Sequence, residues 1–542
     1  MDDIDNEQMR FGSAGFIGPK DPALRPYFSK SPDSLFMGFV GKRKLYWNGM
    51  GGALLVAGAR AGKLRDMLAY TLLDGTYAGT LLILDMKGEL AAISQNQTRG
   101  GKDGGGKHCI YWNPSNLHGL PQHRINPVDY IRIDSPSLVS DTKLYAENMI
   151  ALTGSQGADY FERRGREFLE AIILTLAKID GVLILPRLYE IINLIPAGSE
   201  HWLDFAFEMS ESRFEISNRI EGEIAQSRKS TGNGMQGILG EIFKSFAALS
   251  DPVLMASVSP PFDFSLSDLC RCEQPYNFYM MPPAEFVDAW GPVMKAMFVA
   301  GMIYKSRSAS APRQTWILDE CAQLGKFPLV VKLYSYGAGI GIRPLAVFQS
   351  TKQMNALGPE AETIITSSAA ARIYFALRDI GSAATLSKML GTQTLEYDDE
   401  LAQSKAMMAK KAAIRAVLMD GASPHAEGTK LAHYNQAATN RTKQARLLRT
   451  PDEVMNTADG KAYLFMDGLA GAIYADRTAY YEQADLAGRF HPNPYHPPLD
   501  KVRIKTRFGH RWAKIVRAPV PARFAHYPQY AGGHWSYVEG DE

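Results

Sequence analysis

The chain has 542 residues, 46% hydrophobic and 21% charged, with 59 Lys and Arg against 57 Asp and Glu. This length leaves room for about three or four domains and a large core, while a net charge of +2 excludes a global electrostatic signal for nucleic acid, so any such contact must come from local patches. Four cysteines (Cys109, Cys270, Cys272, Cys321) offer no C-x-x-C pair and no zinc spacing, which points to a reducing compartment. The first ten residues are acidic and polar, unlike a signal peptide. The longest apolar stretches, such as Val293 to Tyr304, stop short of about 18 residues and contain Lys295, so no transmembrane helix is expected and the chain reads as soluble.

Residues 1–50 read as an irregular opening, Met1 to Lys30, followed by short strands from Leu35 to Trp47 around Gly38 and Gly41. Ala53 to Ala57 is a buried strand, Gly58-Ala59-Arg60-Ala61-Gly62-Lys63-Leu64 follows it, and Arg65 to Leu73 reads as helix. A strand, a glycine-containing loop ending in Gly-Lys and a helix make a phosphate cradle. Backbone N–H groups and the helix N-terminus face the anion, and Lys63 reaches the β/γ-phosphates. The match to G-x-x-x-x-G-K-[ST] departs at two places. Ala57 stands at the first glycine, which suffices where the backbone needs no positive φ. Leu64 stands at the hydroxyl position and can give Mg²⁺ no oxygen.

Thr80 to Asp85 is a second buried strand ending in acid, Gly100 to Gly106 a glycine-rich surface loop, and His108 to Trp112 a third strand stopped by Asn113-Pro114. This alternation predicts a parallel α/β layer over residues 51–139 and again over 258–494. Between them, residues 140–257 read as an inserted all-helical domain, with apolar spacing of helical period in Phe161 to Leu176, Leu188 to Leu194, Trp202 to Met209 and Met235 to Leu249. Val182 to Leu185 is one strand-like run there, ended by Pro186.

The chain returns to the sheet at Tyr276 to Met280, forms a long helix from Ala284 to Lys305, and reaches Thr315-Trp316-Ile317-Leu318-Asp319-Glu320. Ligands of parallel sheets bind beyond the carboxyl ends of the strands. Asp319 is there to hold a metal and Glu320 to orient and deprotonate a water. Gln349, ending the strand Arg343 to Phe348, is placed to sense the γ-phosphate or that water. Arg372 and Arg378 are candidates for a finger reaching a neighbouring subunit's phosphate. Gln403 to Gln444 reads as a basic helical excursion with a mobile middle around 421–428, and Ala462 to Met466 and Ala472 to Tyr474 as late strands. Residues 495–542 read as a basic, aromatic tail. From Lys501 to Arg523 there is no acid, and Phe508 and Trp512 are interleaved with the cations. That composition suits single-stranded nucleic acid, an anionic surface or simply a solvated end.

Together these pieces resemble the TraG-like type IV coupling proteins, over about Gly12 to Pro494. Gly12-Ser13-Ala14, the phosphate loop from Leu55 to Lys63, Asp85-Met86-Lys87-Gly88-Glu89 and Arg124-Ile125-Asn126-Pro127 are similar to family segments. So are Leu318 to Lys326, Tyr336 to Arg343, Gln349-Ser350 and Leu447 to Val454. The resemblance implies a RecA-like P-loop domain with an all-alpha domain that helps recognise substrate. It also implies an ATP- and Mg²⁺-dependent motor, active as a homo-hexamer, that drives single-stranded DNA or a relaxase–DNA complex into a type IV secretion channel. In that setting Gly58, Ala59, Arg60, Ala61, Gly62, Lys63 and Leu64 would bind nucleotide, Asp319 the metal, and Glu320, Gln349 and Arg372 would serve the reaction. Leu64 keeps a second reading open, a nucleotide-binding receptor or adaptor with little or no hydrolysis. The family's usual N-terminal membrane anchor does not precede the loop in this sequence, which leaves open a branch without one or a piece of a longer protein. The expectation is therefore a protein of the bacterial cytoplasm, peripheral at the inner membrane and docked through a separate membrane protein.

Overall fold

Short apolar runs bounded by glycine, proline or acid build the larger of two units, residues 19–377, 458–469 and 474–542. The computed structural model describes residues 9, 11–74, 79–95, 107–152, 154, 157–197, 199–229, 234–271, 273–397, 400–419, 421, 423, 425, 428–430, 432 and 442–540. The expected glycine-rich loop 100–106, Cys272 and parts of 421–428 lie outside the described residues.

Leu35–Val40 (β1) and Arg43–Trp47 (β2) form an antiparallel hairpin with an irregular register between Phe36 and Gly38. Ala53–Ala57 (β3), Thr80–Leu84 (β4), His108–Trp112 (β5), Tyr276–Met280 (β6), Gln314–Leu318 (β7), Ile342–Phe348 (β8) and Ala371–Phe375 (β9) run parallel, side by side as β9-β3-β8-β7-β4-β6-β5. Every residue in these seven strands is buried except His108 and Arg372, as expected for strands covered on both faces.

Between β5 and β6 the chain is helical. The helix Asp159–Asp180, buried from Phe168 to Ala177, packs against Leu138–Met149, Glu215–Lys229 and Gly234–Phe246. Val182 to Leu185 is not a strand here. Val182 makes one isolated bridge to Arg132, and Leu185 opens the helix Leu185–Ala197. Pro186 sits in that helix's first turn, where its missing N–H costs no hydrogen bond, so the residue read as a stop is a start.

The segment Ala284–Arg307 is, among the described residues, the helix long and apolar enough to cross a bilayer, but most of it is buried inside the unit. Trp290 meets Trp112 at 6.0 Å and Phe298 meets Trp316 at 5.5 Å, while a Cβ on Gly301 would lie 3.4 Å from the Trp316 ring. Its composition is that of a helix laid across a buried sheet.

The smaller unit, residues 1–18, 378–457 and 470–473, contains Thr392–Tyr397 (β10) antiparallel to Thr442–Leu447 (β11). Gly12 and Ala14 extend it, Ala14 N–H donating to Thr392 O at 3.1 Å and Thr394 N–H to Gly12 O at 3.0 Å. Gly12 has φ +140, and a Cβ there would meet Thr392 O at 2.2 Å, so this position requires glycine. The helix Glu400–Met419 accounts for the first part of the expected excursion. Its end differs: Thr442 to Gln444, expected within the helical excursion, open the strand Thr442–Leu447, and Pro451–Met455 follows behind a capping box between Thr450 and Glu453.

Lys461–Met466 (β12) and Ile473–Asp476 (β13) complete the large sheet. Among the described residues it has eleven strands in the order β2-β1-β13-β12-β9-β3-β8-β7-β4-β6-β5. The segment expected as a tail is instead folded. Lys501–Thr506 (β14), Gly509–Pro519 (β15) and His534–Val538 (β16) form an antiparallel meander, and Phe524, Tyr527 and Tyr530 bury a small aromatic core beside it. Gln529 ties this module to the sheet's edge, accepting from Cys109 N–H at 2.9 Å and donating to Lys107 O at 2.9 Å.

Candidate functional site

Because β3 lies between β8 and β9, its carboxyl end opens onto the middle of the sheet. Gly58 to Lys63 turn there, tied by Gly58 N–H to Ala376 O at 3.2 Å and Ala61 N–H to Gly58 O at 3.3 Å. Arg60 (φ 58) and Gly62 (φ 86) are left-handed, a conformation that aims loop amides into one concavity. A Cβ on Gly62 would lie 2.8 Å from Asp66 Oδ2, so both space and φ demand glycine. Ala57 needs neither. It ends β3 fully buried and is not among the described residues with positive φ, which is why alanine serves at the motif's first position. Among the described residues no protein acceptor takes the amides of Ala59, Arg60, Gly62 or Lys63. Donors left open beside a lysine suit phosphate oxygens.

Lys63 Nζ stands 3.4 Å from Ala57 O and 3.6 Å from Glu320 Oε1. The second Glu320 oxygen, Oε2, accepts from Gln349 Nε2 at 2.9 Å. One carboxylate thus joins the ends of β3, β7 and β8. Glu320 itself is left-handed (φ 50, ψ 41), a state that costs a non-glycine residue about 1–3 kcal/mol and that clusters at functional sites. Its N–H donates to Asp319 Oδ1 at 3.0 Å, turning one Asp319 oxygen toward the backbone. Gln349 is steadied by its own N–H, which donates to Gln353 Oε1 at 2.8 Å.

Burial, and then the neighbouring Glu320, push the Asp319 carboxyl up to about 6, against the pull of Lys63. Leu84 pairs with Leu318, so Asp85 and Asp319 follow on adjacent strands. Asp85 is 1% exposed, and burial, with Asp319 adding to it, raises its carboxyl to about 8, against the Ala91 N–H that donates to Oδ2 at 2.8 Å. Among the described residues no three His, Cys, Asp or Glu side chains are grouped to hold a metal. Mg²⁺ needs no such cage. It keeps several waters and takes one or two carboxylates besides phosphate oxygens, and Asp319 suits that role. Leu64 cannot assist. It is partly exposed at the head of a π-helical turn, Leu64–Leu68.

Arg372 is not brought to this site within its own chain. It lies beside Leu54, toward the amino end of β9, with Nη1 donating to Thr366 O at 3.1 Å and the guanidinium 5.3 Å from the Phe465 ring. Its Nε is buried without a partner among the described residues. Arg378 is exposed in the smaller unit.

Two positioning residues escaped the sequence. Arg477, after β13, donates through Nη1 to Asp66 Oδ2 at 2.6 Å and to Ala61 O at 3.1 Å, and lies 3.8 Å over the Phe375 ring. Both partners are buried, and Arg65 Nε also donates to Asp66 Oδ1 at 2.5 Å. The pair clamps the loop from beneath. The 411 residues separating Arg477 from Asp66 left no local signal. An acid just inside the helix after Gly-Lys, where no solvent-facing periodicity calls for it, is the one hint the sequence carried.

The chain is similar to several known proteins. The family model described as Type IV secretory system Conjugative DNA transfer matches residues 7–498. Protein VirD4 of Agrobacterium fabrum is 26% identical over 350 residues, covering 64% of this chain and 50% of the relative. Conjugal transfer protein TraG of Escherichia coli is 23% identical over 379 residues, covering 64% of this chain and 56% of the relative. The chain thus spans about half the length of the curated relatives it matches. Among solved structures, the bacterial conjugative coupling protein TrwBdeltaN70 aligns with TM-score 0.56 and 18% identity over 87% of this chain and 95% of its own. TrwB in complex with ADP and Mg²⁺ aligns equally, at TM-score 0.56 and 17% identity over 86% of this chain and 96% of its own. The shared fold is a RecA-like nucleotide-binding domain with a helical domain.

Proposed function

The chain belongs to the type IV secretory system conjugative DNA-transfer family, the TraG-like coupling proteins, and we propose that it is a DNA-stimulated ATPase that recruits DNA or a DNA–protein complex and drives it into the secretion channel. The observation that carries this reading is the Glu320 carboxylate, held between Lys63 and Gln349 beside a loop of open amides. TrwB, with the same fold, has been captured with ADP and Mg²⁺.

The loop from Gly58 to Lys63 binds the phosphates, and Lys63 exchanges its contact with Glu320 for a phosphate oxygen. Released on that side, Glu320 accepts the proton of the attacking water while Gln349 keeps it in line. Asp319 would hold Mg²⁺, which when bound neutralises charge on the β- and γ-phosphates. Asp85 and Asp319 follow on adjacent strands here, and burial favours the protonated form of Asp85, which would limit their repulsion. Arg372 acts, in this reading, on a neighbouring subunit of a homo-hexamer. The protein works at the cytoplasmic face of the inner membrane, docked through a membrane partner and the channel's components.

Leu64 favours a second reading, a receptor that binds nucleotide and cargo with little turnover. Phosphate release with and without single-stranded DNA, for wild type beside Asp319→Ala, separates the two. The motor predicts stimulated turnover that Asp319→Ala abolishes. Background turnover in every sample, with nucleotide still bound, selects the receptor.

A further inference from the structure

We propose that one face of the C-terminal meander is a stacking platform for single-stranded nucleic acid. Register defines the face. Lys501 pairs with Lys514, Arg503 with Trp512, and Lys505 with His510, and side chains of directly paired residues share a side of the sheet. Val502, Ile504 and Ala513, the alternate positions, are buried. The body of the protein therefore takes one side of β14 and β15, and the other presents five cations or imidazoles around one indole.

Trp512 is 53% exposed in mid-strand, a place where an ordinary surface strand carries a polar residue. Lys501 Nζ lies 5.3 Å from its ring centroid, which keeps the indole between the charged ends of its neighbours. At the β14–β15 turn Phe508 is 93% exposed with the Arg507 guanidinium 5.7 Å from its ring. Among the described residues no carboxylate pairs with Lys501, Arg503, Lys505 or Lys514; His510 alone is engaged, Nε2 lying 2.8 Å from Glu482 Oε2. The segment 501–523 contains no acid at all. Cations clustered around an exposed ring raise the local potential and draw in a polyanion.

Charge complementarity names a polyanion, and the ring narrows the choice. A lipid surface satisfies the cations but offers Trp512 no planar partner. Duplex DNA offers phosphates but keeps its base faces stacked on each other. A single strand provides both, phosphates for the lysines and arginines and an open base for the indole. Same-face residues recur about every 6.7 Å along a strand, so the face from Lys501 to Lys505 follows a short run of extended backbone.

This deepens the transport reading by giving the moved strand a contact surface outside the nucleotide site, and its test requires no turnover. The full chain, without nucleotide, is titrated into fluorescein-labelled oligo(dT) and irradiated with a bromodeoxyuridine-substituted strand. Trp512→Ala should weaken binding about tenfold and remove a crosslink mapping within 501–523. Arg503→Gln with Lys514→Gln should flatten the dependence of affinity on salt. Both variants should melt like wild type, since these side chains are exposed. Crosslinks confined to other peptides, or affinity and salt dependence unchanged in both variants, would overturn the proposal. So would loss of binding to phosphatidylserine vesicles with oligonucleotide binding intact, which would assign the face to lipid. A failed ATPase assay would leave all these readings unaffected.

Discussion

Arg477 shows how much of the site depends on side chains that touch no substrate. Its guanidinium compensates a buried Asp66 and holds Ala61's carbonyl, so replacing it leaves a carboxylate in low dielectric and a loop without its clamp. Arg477→Met should cost about 3 kcal/mol of stability and weaken nucleotide binding, and Asp66→Asn in the same chain should restore part of the stability. Chemical denaturation of the single and double variants checks this; additive losses would mean the two residues are not coupled. Leu64→Thr supplies an oxygen one residue after the lysine and should tighten Mg²⁺–nucleotide binding, read by titrating Mg²⁺ against nucleotide affinity. An unchanged Mg²⁺ dependence would mean that this position does not face the metal. Asp85 gives a pH signature. Its folded pKa of about 8 exceeds the unfolded value of about 4, so the folded state holds a proton the unfolded chain has lost throughout that window. Stability is fully present below pH ~4 and falls as pH rises toward ~8. Asp85→Asn should remove that slope, so that its gain in stability over wild type is larger at pH 8 than at pH 5, as thermal melts at the two pH values would show. The placement of Lys63, Asp319, Glu320 and Gln349 at one edge of the sheet was legible in the sequence, because strand ends in a parallel sheet converge. Asp85 was visible as the acid ending a buried strand and as a motif position, but not its pairing with Asp319, which depends on which strand lies beside β4.

At the scale of elements, the seven parallel strands could be read because both faces are buried and their sequences are nearly continuous apolar runs. The strands that were missed are polar or one-sided. Thr392–Tyr397 carries Thr-Gln-Thr, and Lys501–Thr506 alternates Val502 and Ile504 with cations, a two-residue period that the high charge of the segment obscured. The same module also lies against the sheet's outer edge. β5 is the last strand of the sheet, and its outer backbone groups are met by Gln529 and by His123, whose N–H donates to Tyr111 O at 2.8 Å while Tyr111 N–H donates to His123 Nδ1 at 3.0 Å. An uncovered edge invites pairing with other chains. A chain ending at Asp500 should therefore melt lower and aggregate faster than wild type, whereas Gln529→Ala should reproduce a smaller part of the effect. Light scattering during a thermal ramp measures both. Identical curves would show that the module does not protect the edge.

For the whole molecule, the family membership and the RecA-like fold carry a definite expectation about what the central carboxylate does. In the proposed mechanism Glu320 contributes little to holding nucleotide, since the loop amides and Lys63 would carry the phosphates, and it would serve as the base for the water. Binding and turnover should therefore separate at this one residue, a separation that neither a structural carboxylate nor a nucleotide-gated receptor would produce. The most direct test is the rate of phosphate release at saturating ATP and single-stranded DNA, wild type against Glu320→Gln, with nucleotide affinity measured on the same samples. A fall of at least about 100-fold in rate is expected, with affinity held within about threefold. A rate unchanged by the substitution, or no turnover in the wild type, would contradict it.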